Sequence, residues 1–511
     1  LGGGANHVGS HLWNLVLEQQ QEQRLQRASA GAQKGGGQEN FGVLLRETQA
    51  GFLPRTCCFD LSGTVSTSYG TVEGLSYASG QEETQEQPFP LYVTEVQRDA
   101  VARVGEQYRG YWDEYLNLPV ETRWRSQIVS CLPGVWHKVN AFDCFGDGLE
   151  AFSRGDVKEE AFDRVRVLVE ECDCLQGFQL LADDLSGFGH ICGDMLAHIR
   201  DEITETKPLV VVGLRGPFAQ DYAVQVGRSE AKQSAIDCIN EAWATSRLSE
   251  CCDAHVVLDT ATHSLHVDPI AGLYEASALG ACVVDSLSLG CRMRAGLGLG
   301  SLRDIVNTLN PRGTKCRLVS CAADIRPFDF SQTLELRSLT KVVPTGRLGR
   351  GAQSESYVMR GLRGSRLEGA VASREEAQAW FLRAVADRKD RMPLCPRNFA
   401  ADPQPQPLPF QFPLSQALTG GGSASASSLT SVVQFSSDPA AGRSLGRLCA
   451  EFKKACLSPG SPAVTSMLQA WGLGKSDCEE ILESLQTLRS SYASDEYELG
   501  GFDSESSGGE N

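Results

Sequence analysis

No run of apolar residues in this 511-residue chain is both long enough and free enough of charge to cross a bilayer. The small, apolar stretch from Pro269 to Cys291 comes closest, and Glu275 and Asp285 interrupt it, so no transmembrane segment is expected. Positive charge is also short. Lys and Arg number 47 against 64 Asp and Glu, a net of −17, which argues against nucleic acid as a partner and favours basic or apolar protein surfaces. Paired C-x-x-C spacing is missing: Cys57-Cys58, Cys172-x-Cys174 and Cys251-Cys252 do not make a tetrahedral metal set. The 18 cysteines have no framework spacing either, so they read as buried structural thiols in a reducing compartment. No G-x-G-x-x-G follows a strand and opens a helix with an acidic partner downstream, which removes a dinucleotide-dependent oxidoreductase. Ser186 lacks an evident His or Asp partner for nucleophilic catalysis. Because the first residue is Leu1 rather than Met, the start is expected to be missing, and any targeting peptide with it.

What is present reads as α/β. Leu12 to Leu25 has helical character, followed by a polar, flexible insertion near 26–40, with a second polar break near 79–87. Arg55 to Phe59 reads as a short buried strand ending at Asp60. In Glu159 to Cys172 the apolar residues Phe162, Val165, Val169 and Cys172 recur at helical spacing. Next come a strand at Phe178 to Ala182, a polar loop from Asp183 to Gly189, a helix from His190 to Glu202 and a strand from Leu209, the order of a right-handed parallel crossover. Further strands are expected at His255 to Leu258 and Cys316 to Ser320, with a helix at Leu302 to Leu309. Proline is dense from Pro393 to Pro413 and glycine follows at 420–422, which reads as a linker. Beyond it, Leu445 to Cys456 and Val464 to Trp471 look helical, and Ser476 with Glu479 has the spacing of a capping box. Ser494 to Asn511 is acidic, poor in apolar groups and expected to be disordered.

Two loops have the composition of an anion site. Gly2-Gly3-Gly4-Ala5-Asn6-His7 leads into a helix, where glycine frees backbone N–H groups and the helix terminus favours negative charge. Asp183-Asp184-Leu185-Ser186-Gly187-Phe188-Gly189 lies between a strand and a helix, the place where open α/β sheets bind ligands.

These loops resemble those of tubulins. Gly2, the run Gly4-Ala5-Asn6-His7-Val8-Gly9 and Trp13 are similar to the opening G-Q-x-G-N-Q-[IV]-G-x-x-x-W, and Pro54-Arg55 through Asp60-Leu61 is similar to P-R-x-x-x-x-D-L-E. The Asp183 to Gly189 loop stands where tubulins carry G-G-G-T-G-S-G. Within that superfamily the chain resembles the Misato family, through Trp13-Asn14, Gly148-Leu149-Glu150-Ala151-Phe152, the segment Glu170 to Gln179 and the closing segment Gly474 to Tyr492.

The resemblance implies a tubulin/FtsZ-like fold: a parallel-sheet nucleotide-binding-type domain over 1–260, a second α/β domain over 261–392, a linker over 393–440, C-terminal helices over 441–493 and an acidic tail over 494–511. It implies a nucleotide site, with GTP as its candidate cofactor, built from Gly2, Gly3, Gly4, Asn6, His7, Asp60, Ser186, Gly187 and Gly189. Asp183, Asp184 and Leu185 replace three glycines of the tubulin loop, adding side chains and negative charge where phosphate approaches backbone. A like charge 4 Å away at an effective dielectric of 20 costs roughly 4 kcal/mol, so each aspartate is expected to weaken phosphate binding by up to about three decades. Asp304 is the nearest candidate for the acidic residue that completes a neighbour's site in polymerising relatives, and reads more simply as a helix-terminal residue. His263 and His266 share a spacing but have no third metal ligand nearby. The expectation is therefore a tubulin-like protein without catalysis. The resemblance further implies a role in mitochondrial distribution, morphology and inheritance, in the cytoplasm and at the mitochondrial outer surface, with tubulin or outer-membrane-associated proteins as partners. Its rival is a GTP-hydrolysing polymer.

Overall fold

The computed structural model describes residues 1–29, 39–48, 51–61, 112, 128–132, 142–215, 230–259, 273–293, 301–310, 317–325, 334–340, 354–361, 376, 379–381, 383, 397–402, 406–407, 428–438, 440–457 and 462–500. The first half contains α1 (Gly3–Ser29), β1 (Leu45–Thr48), β2 (Gly51–Pro54), β3 (Cys58–Leu61), β4 (Ile128–Leu132), α2 (Phe145–Phe152), α3 (Gly155–Glu170), β5 (Phe178–Ala182), α4 (Gly187–His198), β6 (Leu209–Arg215), α5 (Glu230–Cys251) and β7 (Ala254–Asp259). The second contains α6 (Leu273–Arg292), α7 (Leu302–Leu309), β8 (Arg317–Ile325), β9 (Arg337–Ser338), β10 (Ser354–Arg360), β11 (Arg397–Asp402), β12 (Gln406–Pro407), β13 (Ser428–Leu429), β14 (Ser431–Ser437), α8 (Ala440–Phe452), α9 (Pro462–Ala470) and α10 (Lys475–Gly500).

The main sheet has the order β11-β10-β14-β8-β7-β6-β5, with the short β9 on β8. Strands β5 to β8 are parallel, as the crossover reading requires. Leu209 to Val212 and Val256 to Leu258 are buried, because helices cover both faces and leave no solvent side for alternation. One sheet spans residue 260, since Ala254 and His255 of β7 pair with Arg317 and Leu318 of β8. The expected linker is corrected here. Within 393–440, β11 lies parallel beside β10, and β14 is an inner strand between β10 and β8. Its run Val432, Val433, Phe435 is buried, so burial outweighs the surrounding low-complexity composition.

The stretch that came nearest to a membrane span is the core helix α6, buried from Ala276 to Cys291. Its Ala, Ser and Gly residues let it pack closely, and Gly280 faces Val8 of α1 so tightly that a Cβ there would lie 2.9 Å from Val8 Cγ2. Among the described residues no helix is long and apolar enough to cross a membrane. Among the described residues, four charges meet beside this helix. Arg292 pairs with Asp285 at 2.6 Å and faces Glu39 at 3.4 Å, and Arg360 pairs with Glu39 at 2.7 Å and Asp285 at 3.0 Å. Two cations balance two anions, which offsets a desolvation cost of several kcal/mol per ion. The network ties α6 to β10 and to Glu39.

Several boundaries move. Helix α1 begins at Gly3, inside the glycine cluster that was expected to precede it, and runs to Ser29. The strand expected at Arg55 to Phe59 is β3, Cys58–Leu61, with Asp60 inside it. Helix α4 starts at Gly187 instead of His190. At α10 the capping contact is from Gly474 N–H to Asp477 Oδ2 at 2.7 Å, two positions before the Ser476 and Glu479 pair expected to cap it. The helix continues through 494–500, which were expected to be disordered. The break near 79–87, His263 and His266 lie outside the described residues.

Candidate functional site

Gly2 to Asn6, Asp60 and the loop from Asp183 to Gly189 meet at the ends of β3 and β5. Backbone hydrogen bonds fix the start of α1 between these strands: Gly2 N–H donates to Phe59 O at 3.0 Å, and Asp183 N–H to Leu1 O at 3.0 Å. Asn6 Nδ2 donates to Asp60 Oδ2 at 2.9 Å and to Phe59 O at 3.1 Å, so Asn6 holds the buried Asp60. His7 turns back along its own helix, its Nδ1 donating to Gly3 O at 2.6 Å, and burial pushes its pKa down to about 4.

The first amides of α1 already have an anion. Asp183 Oδ2 accepts from Gly4 N–H and Oδ1 from Ala5 N–H, both at 2.9 Å. Glycine is required on the facing side: a Cβ at Gly4 would lie 2.7 Å from Asp183 Oδ1, and one at Gly2 2.4 Å from Oδ2. Gly2 also has φ +101°, a left-handed backbone that favours glycine. Burial, with Asp60 as a neighbouring like charge, raises the Asp183 carboxyl to about 7 against the pull of the two amides.

Asp184 does something different, and the expectation that it repels phosphate is corrected. Its side chain enters the core, where Arg215 Nη2 lies at 2.9 Å and His255 Nε2 at 3.3 Å. Arg215 in turn holds Glu241 at 2.6 Å. Burial alone raises the Asp184 carboxyl, but Arg215 and His255 outweigh it and hold the group down at about 2. Gly213 makes room, since a Cβ there would be 2.5 Å from Asp184 Oδ2.

The amides opening α4 are bonded within the chain as well. Ser186 caps the helix, accepting from Phe188 N–H at 3.2 Å while its hydroxyl donates to Asp183 O at 2.6 Å. Gly187 N–H donates to Phe142 O at 3.0 Å and Gly189 N–H to Ser186 O at 2.9 Å. Helix α2 lies against this turn: a Cβ at Gly148 would lie 2.0 Å from Gly187 O. Asn240 of α5 fastens the arrangement, accepting from Phe145 N–H at 2.9 Å and donating to Asp143 O at 2.7 Å and Leu185 O at 2.9 Å. Phe142, Arg215, Asn240 and His255 were not read from the sequence as parts of the site. Arg215, a cation closing an apolar strand, was the one detectable signal.

Asp304 stands apart, in the first turn of α7, where Ser301 Oγ donates to its Oδ2 at 2.6 Å and accepts its N–H at 3.3 Å. That is a helix cap. Asp143, Cys144 and Asp147 place three potential metal ligands within 4.8 Å of one another, but they form the N-terminus of α2, where Asp147 Oδ2 accepts Cys144 N–H at 3.1 Å and the helix end favours anions.

A tubulin domain model matches residues 109–293, which hold the Asp183 to Gly189 loop and the helices around it. The chain is 26% identical to Protein misato of Drosophila melanogaster over 433 residues, covering 71% of this chain and 72% of that protein. It is a tubulin-like protein similar to those of the Misato family. Protein dml1 of Schizosaccharomyces pombe is 27% identical over 206 residues, 40% of either chain, and Protein misato homolog 1 of Homo sapiens 30% identical over 107 residues, 21% of this chain and 17% of that one. The Misato-like segment Glu170 to Gln179 has a structural role here. Glu171 pairs with Arg46 on β1 and accepts Arg55 through its carbonyl at 3.3 Å, while Gly177 turns into β5 with φ +151°.

Proposed function

We infer that this tubulin-like protein acts without hydrolysing GTP, through protein partners, in the distribution, morphology and inheritance of mitochondria. Its partners are tubulin or other cytoskeletal proteins, or proteins of the mitochondrial outer membrane, and it works in the cytoplasm and at the mitochondrial outer surface. The non-catalytic part rests on one observation: the helix-terminal amides that would grip phosphate are bonded to Asp183, Ser186 and Phe142 of the chain itself. The mitochondrial part is supported by the similarity to Misato-family proteins. The rival polymer-forming GTPase has in its favour that Asn6, Asp60 and the Ser186 turn converge, but GTP would have to displace Asp183.

Two experiments test this reading. Phosphate release from GTP is measured over a range of protein concentrations, where background release throughout is expected and turnover that rises with concentration contradicts the non-enzymatic part. Removal of the protein from cells is expected to disturb the mitochondrial network until the wild-type chain is restored. An unchanged network contradicts the mitochondrial part.

A further inference from the structure

We propose that Asp183 is the resident ligand of its own site, a tethered carboxylate that stands in for an oxyanion at the N-terminus of α1 and locks that helix to the Asp183 to Gly189 turn. The inference rests on the reading above that the site takes no nucleotide, and it names what fills the site instead.

Three independent features converge on it. Both oxygens of Asp183 are used, one on Gly4 N–H and one on Ala5 N–H, each at 2.9 Å, so the contact is the two-pronged one that a free carboxylate or phosphate makes with adjacent amides. The cradle is shaped around that group, because Gly2 and Gly4 both lack the Cβ that would strike it at 2.4 and 2.7 Å. The main chain of Asp183 is held from two sides, by its N–H to Leu1 O at 3.0 Å and by the Ser186 hydroxyl to its carbonyl at 2.6 Å, so the carboxylate is aimed by its backbone.

A mobile nucleotide in such a site would couple the two loops only while bound. A side chain couples them at all times, so the loops keep one arrangement whatever the nucleotide supply. Deleting the carboxylate uncovers a small oxyanion site whose ligand class is formate, acetate or inorganic phosphate.

The test uses the full chain at pH 8, comparing wild type with Asp183→Gly in sodium chloride, sodium formate and sodium phosphate at matched ionic strength. Asp183→Gly is expected to melt about 3–6 °C lower in chloride and to recover at least half of that loss in formate or phosphate, while the wild type is unmoved by the choice of anion. Equal melting of the two proteins, or the same anion response in both, overturns the proposal. If Asp183→Gly does not fold, Asp183→Asn decides: its amide still fills the space but accepts only one N–H, so a lower midpoint that no anion restores is expected, and a wild-type midpoint overturns the idea. Inorganic phosphate titrated calorimetrically into Asp183→Gly is expected to bind in the millimolar range, with no heat from wild type. GTP binding to the wild type removes the reading on which this rests, whichever way the formate and phosphate arms fall. Failure of anion rescue with no GTP binding removes this inference alone.

Discussion

Asp183 Oδ2 lies 2.9 Å from the amide nitrogen of Gly4, so a side chain standing where the tubulin loop has glycine occupies the first amides of α1. A steric test follows from the same pair. Gly4→Ala puts a Cβ 2.7 Å from Asp183 Oδ1 and is expected to cost about 1–3 kcal/mol in a denaturant titration. Combined with Asp183→Gly, the alanine is expected to cost less than 1 kcal/mol, since the atom it strikes is gone and Ala is a better helix residue than Gly. Additive losses contradict the contact.

The neighbouring aspartate gives a different signature. Asp184→Asn leaves the buried Arg215, among the described residues, with the part-exposed Glu241 as its charge partner, and a loss of about 3–5 kcal/mol is expected. The folded carboxyl, at about 2, lies below its ordinary 3.8. Its stabilisation is therefore complete above pH 4 and is lost as pH falls from about 4 towards 2. Wild type and Asp184→Asn are expected to converge in stability across that window.

His7 titrates with the opposite placement. Its folded pKa of about 4 lies below the ordinary 6.5, so between those values the unfolded chain binds more protons and stability falls as pH drops. A shift of this size corresponds to about 3 kcal/mol at pH 4 and none above pH 7. Asp183, raised to about 7, stabilises in the other direction as pH falls from 7 to 4, so the measurement is the difference between wild type and His7→Phe at each pH. That difference is expected to move in favour of the variant below pH 6.5. A constant difference contradicts the buried neutral imidazole.

Asn240 gives a local readout. Asn240→Ala strips partners from Phe145 N–H and from the carbonyls of Asp143 and Leu185, and a loss of about 2–4 kcal/mol is expected. Hydrogen exchange is expected to quicken at Phe145 and along the start of α4, with β6 and β7 unchanged. Uniform loss of protection across the sheet contradicts a clamping role.

The four-charge network in the core makes a fifth case. Arg360→Met leaves Glu39 and Asp285 sharing Arg292 as their cation among the described residues, at an expected cost of about 3–5 kcal/mol. Replacing Glu39 by Gln in the same chain is expected to recover part of it, because one surplus anion is removed. No recovery contradicts the shared pairing.

Where periodicity and burial agree, the sequence was sufficient: β5 at Phe178–Ala182 and α7 at Leu302–Leu309 have the bounds expected of them, because apolar runs and helical spacing dominate there. Composition misled at 393–440, where local proline and glycine concealed β14, a strand whose stability comes from its two neighbours in the sheet. The meeting of the site loops was implied by the resemblance to tubulin loops that the glycines, Asn6 and Asp60 carry. The fate of each aspartate was not. Whether a carboxylate turns to a helix end, as Asp183 does, or to a buried cation, as Asp184 does, depends on Arg215 and His255 on adjacent strands, which no local pattern records. The same holds for Asn240, whose three hydrogen bonds join segments about 55 and 95 residues away.

The central claim, that the chain's own side chains fill the phosphate site, is tested most directly by equilibrium binding of fluorescent GTP to the folded wild-type chain, with and without magnesium. The account expects no saturable binding up to about 100 μM in either condition. Saturable one-to-one binding at micromolar concentration, strengthened by magnesium, would contradict it.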